Sequence, residues 1–136
     1  MSFTSDLEAW AEKSGATMHE VVVEFVLDLS AKVVVGDGMP GNGTPVDTGW
    51  ARNNWVASIG SPNLSILDGY DKTGSKTMSK IALTSLSATG NLFYLTNNVE
   101  YINILEYGSS NRPPNGMVRL GIMAAKSELS RKINGL

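Results

Sequence analysis

Residues 36–49, GDGMPGNGTPVDTG, carry five glycines and two prolines in fourteen positions. Proline removes a backbone donor and fixes φ, and glycine gives a helix or strand interior little reason to persist, so neither a helix nor a central strand can run through here. A loop of this length divides the chain into a helical N-terminal part and a mixed remainder. Everything else must be arranged around it.

On its N-terminal side the pattern is helical. Met18, Val21, Val22, Phe25, Val26, Leu29 and Val33 recur at steps of three and four, the spacing of one helical face. Thr17 precedes the run and Gly36 ends it. A shorter helix before it carries Leu7 and Trp10, with Ser5 or Asp6 as its cap and Gly15 as its stop.

After the loop, Trp55, Ala57 and Ile59 alternate with Val56 and Ser58, which predicts a strand beginning at Asn53. A Gly/Ser/Asp-rich connection follows. Met78, Ile81, Ala82 and Leu86 then predict a helix ending at Gly90, and NLFYLTN a second strand. VEYINILEYG places Tyr101 and Leu105 on one face of a short helix closed by Gly108. SSNRPPNG is a stiff loop. From Met117 to Ile133, Val118, Ile122, Ala125, Leu129 and Ile133 predict a closing helix, with Lys126, Arg131 and Lys132 toward the end where its dipole favours cations.

The expected fold is therefore α+β: a long N-terminal helix and further helices packed on a small, mostly antiparallel sheet. Two strands do not make a sheet that stands alone. Either further strands lie in the loops, or neighbouring subunits complete the sheet.

Composition narrows the function classes. The 136 residues, 42% hydrophobic and 18% charged, are expected to form one globular domain, residues 1–136. A net charge of −2 with interspersed signs offers no nucleic-acid patch. There is no cysteine for a disulfide or thiolate. The N-terminus lacks the basic-then-apolar layout of a signal peptide, and no apolar run approaches a membrane span. The expectation is a soluble chain made in the cytosol, without a cofactor or metal.

Asp47-Thr48-Gly49 is spelled like the active site of an aspartic protease. That chemistry needs two carboxylates sharing one proton, so one Asp47 per chain would require a symmetric homodimer. Such folds are almost all β, and bulky Trp50 follows where a small residue is usual. Asp47 as acceptor in a turn, or as a helix cap, with Gly49 supplying an unusual φ, accounts for the spelling better. His19 is the only histidine and is read as a surface residue. Glu20, Glu24 and Asp28 form an acidic line, read as a solvated face or one that meets a neighbour or a lumen. The glycine loop lacks the preceding strand and following Lys-Ser/Thr of a phosphate-cradling loop. Trp50, Arg52 and Trp55 could stack on bases, but aromatic residues beside a strand are more often core.

No catalytic set emerges, whereas tyrosines, acids and prolines crowd residues 97–116, a composition suited to interfaces. TPVDTGWARNNW together with YLTNNVEYINILEYGSSNRPPNGMVRL resembles the tailed-bacteriophage neck and tail-completion (tail-terminator) proteins, a group that includes minor tail proteins similar to protein Z of phage lambda. With the N-terminal helix the likeness spans nearly the whole chain. It implies a non-enzymatic virion subunit, assembled in the host cytoplasm, that forms a ring, often hexameric, at the head–tail joint or the end of the tail tube. Its partners would be further copies of itself, head-closure or neck proteins and the tail-tube protein. The ring would enclose the DNA path without reading sequence, and would not enter a membrane.

By matching positions the resemblance marks Asp47, Thr48, Gly49, Trp50 and Arg52; Asn97, Asn98 and Tyr101; Leu105, Glu106, Tyr107 and Gly108; and Arg112, Pro113 and Pro114. Loops 36–49 and 109–116 would be the assembly loops. The chain departs from the pattern at Ser109-Ser110, where close relatives often carry a bulky aromatic. A small cytosolic binding module without a virion role is the third reading.

Overall fold

The computed structural model describes residues 2–39, 41 and 43–135; Pro40 and Asn42 of the glycine loop lie outside them. Among the described residues there are six helices and one two-stranded antiparallel sheet, so the fold is α+β. In chain order they are α1 (Phe3–Ser14), α2 (Met18–Val35), α3 (Trp50–Asn53), β1 (Val56–Ile59), α4 (Ser75–Ser85), β2 (Phe93–Thr96), α5 (Ile102–Tyr107) and α6 (Met117–Asn134).

α1 and α2 form where the apolar spacing predicts. The Thr17 hydroxyl accepts the Glu20 N–H at 3.2 Å, capping α2, and Gly15 and Gly36 end the two helices. The cap of α1 is Ser2 rather than Ser5 or Asp6: Ser2 Oγ accepts from Ser5 N, which already lies inside the helix. α1, α2 and the C-terminal half of α6 bury Leu7, Ala11, Val21, Leu129 and Ile133 between them. A second apolar cluster joins the end of α2 to the rest of the fold through Val33, Val34, Ala51, Trp55, Ile81, Leu105 and Met117. Ile81 is wholly buried, and truncating such a side chain to alanine typically costs about 2–5 kcal/mol.

α6 turns one edge inward at four-residue steps: Met117, Gly121, Ala125, Leu129 and Ile133 are buried. The last three are as expected. The first two fall one residue earlier than Val118 and Ile122, because Gly121 sits against Val33 with no side chain between them. Ile122 is consequently exposed.

Three boundaries differ from the sequence expectation. Residues 50–53 form one helical turn, so the strand starts at Val56, not Asn53. α4 stops at Ser85, not Gly90; Ser87 and Ala88 donate to Thr84 and Ser85, unwinding the helix into tight turns that bury Ala88. Tyr101 stands at the cap of α5 rather than within it.

β1 and β2 pair as Val56↔Thr96, Ala57↔Leu95, Ser58↔Tyr94 and Ile59↔Phe93. Ala57, Phe93 and Leu95 pack on the core, and β1 lies against α4. No further strand is present among the described residues, so loops hide no third member. Side-chain amides do part of that work instead. Asn54 pins Leu67 through both backbone groups, at 2.6 and 3.2 Å, and Asn98 donates to the carbonyls of Asn63 and Ser65.

The acidic line on α2 does not face solvent alone. Lys32 is fully buried and donates to Asp28 at 2.8 Å and to Glu128 of α6 at 2.9 Å. Glu24 pairs with Lys132 at 3.0 Å. Glu20 accepts from the Thr17 hydroxyl, and exposed His19 meets the hydroxyl of Thr89. No helix is long and apolar enough to cross a membrane among the described residues.

Candidate assembly surface

Thr44 is the fastening point of the loop that carries the TPVDTGW run. Its N–H donates to Val34 O and its hydroxyl to Val33 O, tying the loop to the end of α2. The same hydroxyl accepts the Trp55 indole N–H at 2.8 Å, and its carbonyl accepts Arg52 Nε at 2.9 Å. Trp55 is therefore core, as the sequence favoured, and not a stacking platform. Arg52 is buried too, reaching Lys72 O through Nη1. Burial pulls its pKa below the ordinary arginine value, and nearby Asp71 works the other way.

Within the Asp-Thr-Gly triplet the three residues do three different things. The Thr48 hydroxyl accepts the Trp50 N–H at 3.2 Å and shapes the turn, a role the sequence reading gave to Asp47. Gly49 has φ +92°, and a Cβ there would stand 2.6 Å from Lys72 N. Its carbonyl accepts both Asn53 N and Asp71 N at 3.0 Å, so two chain segments close on it where only glycine fits. Asp47 is exposed, and among the described residues nothing donates a hydrogen bond to its carboxylate.

Asp71 holds the far side of this junction. Its carboxylate accepts from Gly74 N, Thr77 N and Thr77 Oγ1, capping α4. Burial alone would raise its pKa; the Thr77 and Gly74 bonds, with Lys76 nearby, outweigh it and hold the group below the ordinary value. The sequence signal for this cap is Asp-x-x-Gly ahead of an apolar repeat, which went unread.

The second half of the pattern meets the first. Asn97 donates to Ala51 O at 2.8 Å, linking the end of β2 to α3. The Tyr101 ring lies 5.9 Å from that of Trp50, whose indole N–H donates to Leu67 O. Partial burial, and then the charge of Asp47, raise the Tyr101 pKa above that of a free phenol. Asn115 closes the circuit, donating to Gly43 O at 2.7 Å.

Leu105 and Glu106 face inward. Leu105 is a core residue. Glu106 accepts from Val118 N, Arg119 N and Arg119 Nε at 2.8, 3.1 and 2.9 Å, capping α6 where Gly116 offers no side chain. Gly108 takes φ +80° with extended ψ, and a Cβ there would meet Pro114 N at 2.7 Å. The loop beyond it is closed by paired bonds between Ser109 and Arg112.

Of the fifteen marked positions, Gly49, Arg52, Leu105 and Glu106 are buried and maintain the fold. Asp47, Thr48, Tyr101, Tyr107, Arg112, Pro113 and Pro114 are exposed, and Arg119 lies over the Tyr107 ring at 4.7 Å. Two adjoining concavities share Asp47 and Tyr101. One, about 390 Å³, is flanked by Val46, Ile104 and Arg112; the other, about 570 Å³, by Trp50, Asp68 and Tyr70. No family model, curated protein or solved structure matches the chain.

Proposed function

We propose that this chain is a structural subunit of a tailed-bacteriophage virion, forming a ring at the head–tail joint or at the end of the tail tube. The observation that carries the reading is the meeting of two segments about sixty residues apart in sequence. The TPVDTGW loop and the stretch from Tyr101 to Pro114 meet in one region through the Trp50–Tyr101 contact, and the Asn115–Gly43 bond ties the residues just outside them. That region is stiffened from inside and presents aromatic, apolar and charged groups outward, which is what a repeated subunit contact requires.

The sheet supports the same reading. With two strands, each has an outer edge, a liability in an isolated chain and a joint in an oligomer. The ring, hexameric in this proposal, connects neck and tail, contacts head-closure and tail-tube proteins, and surrounds DNA without reading it.

Native mass spectrometry at high protein concentration, with imaging of purified particles, tests the proposal. The expected result is a closed cyclic oligomer and its presence in the virion neck or tail. A chain that stays monomeric and is missing from virions overturns it. Acid-pH peptidase activity abolished by Asp47→Asn would instead establish the homodimeric aspartic protease.

A further inference from the structure

Resting on that ring reading, we infer that the cup walled by Trp50, Tyr70 and Tyr101 and edged by Asp47 and Asp68 receives a guanidinium, that of Arg112 from a neighbouring copy of this chain. Three aromatic side chains around one opening are the setting in which a cation is held over ring faces. Trp50 and Tyr101 are fixed relative to each other, 5.9 Å apart and tilted by 56°, and the Trp50 indole is locked on Leu67 O. The cup is thus partly organised before anything enters it.

Its charge is one-sided. Neither Asp47 nor Asp68 enters a salt bridge among the described residues, and no cationic residue lines the opening. Lys76 is not in the lining, although its Nζ would be 4.0 Å from a Cβ on Gly69, and its charge acts on Asp71. Asn53 donates to the Asp68 carbonyl through its amide nitrogen, and its buried Oδ1 accepts nothing among the described residues.

The complementary group is on the same chain but outside the cup. Arg112 borders the adjoining concavity, across Asp47 and Tyr101, and it too is in no salt bridge among the described residues. Its loop is held by the Ser109–Arg112 bonds and two following prolines, so the side chain extends from a stiff base. In the ring, each copy gives one guanidinium to the next and receives one from the copy before, a head-to-tail contact. Contacts of that kind close into rings when the rotation permits.

Two measurements test this. The full-length chain is titrated with N-acetyl-arginine amide at a concentration where it is monomeric, reading the Trp50 indole and Tyr101 ring resonances by NMR. Saturable shifts confined to the cup are expected, and they should be lost in Asp68→Lys. Association is then compared for the parent, Arg112→Glu, Asp47→Arg and the double variant. Each single reversal should weaken association by about tenfold or more, and the double should recover most of that loss.

Titration without shifts at the cup overturns the inference. So does a parent ring indifferent to both reversals, which leaves the ring reading intact. Amide binding with a ring that ignores Arg112→Glu assigns the cup to another partner's cation and overturns the second copy as occupant. A parent that never associates overturns the inference, and the ring reading falls with it when virions also lack the chain.

Discussion

Glu106 shows how a residue can be conspicuous for one reason and needed for another. It sits in the Leu-Glu-Tyr-Gly run that suggested a contact surface, yet its carboxylate is spent on the first turn of α6. Helix N-termini leave backbone N–H groups without partners, and Gly116 cannot supply an acceptor. The carboxylate also answers the helix dipole and the Arg119 guanidinium together. Replacing it with alanine should destabilise the chain by about 2–3 kcal/mol, the scale of hydrogen bonds to a charged group. Tyr107→Ser, one position on and exposed, should cost under about 1 kcal/mol. Urea denaturation of both variants checks the contrast, and equal effects would remove the capping role. Sequence reading found the position but not its direction, because a six-residue helix is too short for periodicity to tell inside from outside.

At the scale of elements, the long helices and the short α5 were legible, and the single turn of α3 was not. α2 spans five turns with a clear cap and stop, so its spacing and its ends agree. α3 is a single turn, and nothing local separates Trp-Ala-Arg-Asn as a helical turn from the start of a strand. The acidic line of α2 was visible, but its meaning depends on Glu128 and Lys132, more than ninety residues away. Lys32 makes an asymmetric prediction. Its own side chain is buried, while Asp28 and Glu128 keep about a quarter of theirs in water. Neutralising both acids (Asp28→Asn with Glu128→Gln) strands a buried ammonium and should cost about 3–5 kcal/mol. Lys32→Met should cost clearly less, since the carboxylates can turn outward. The pH dependence follows from the same group. Burial lowers the Lys32 pKa, but the two carboxylates overcome this and raise it above the ordinary lysine value. The pair's contribution is therefore complete below that value, about 10.4, and is lost as pH rises through the folded one. Parent stability should fall on that alkaline limb, and Lys32→Met should flatten it. A parent and variant with parallel alkaline limbs would contradict the assignment.

Across the whole molecule, the point at issue is whether the two signature segments act as one unit. Their sequence separation is large, so their joint presence in a chain is informative only if the fold makes each depend on the other. The Trp50–Tyr101 pair is the most direct link, because each ring is also held by its own segment: Trp50 by Leu67 O, Tyr101 at the start of α5. A double-mutant cycle isolates that dependence from what each ring contributes separately. Trp50→Leu and Tyr101→Leu should each destabilise the chain, and the double variant by less than their sum. A coupling of about 0.5–1.5 kcal/mol is expected for an aromatic pair in contact. Additive losses would mean that the two segments merely lie side by side. Coupling of the expected size would make Trp50, and not Asp47, the residue through which TPVDTGW is read by the rest of the chain, with the Asp-Thr-Gly spelling reduced to the turn that delivers it.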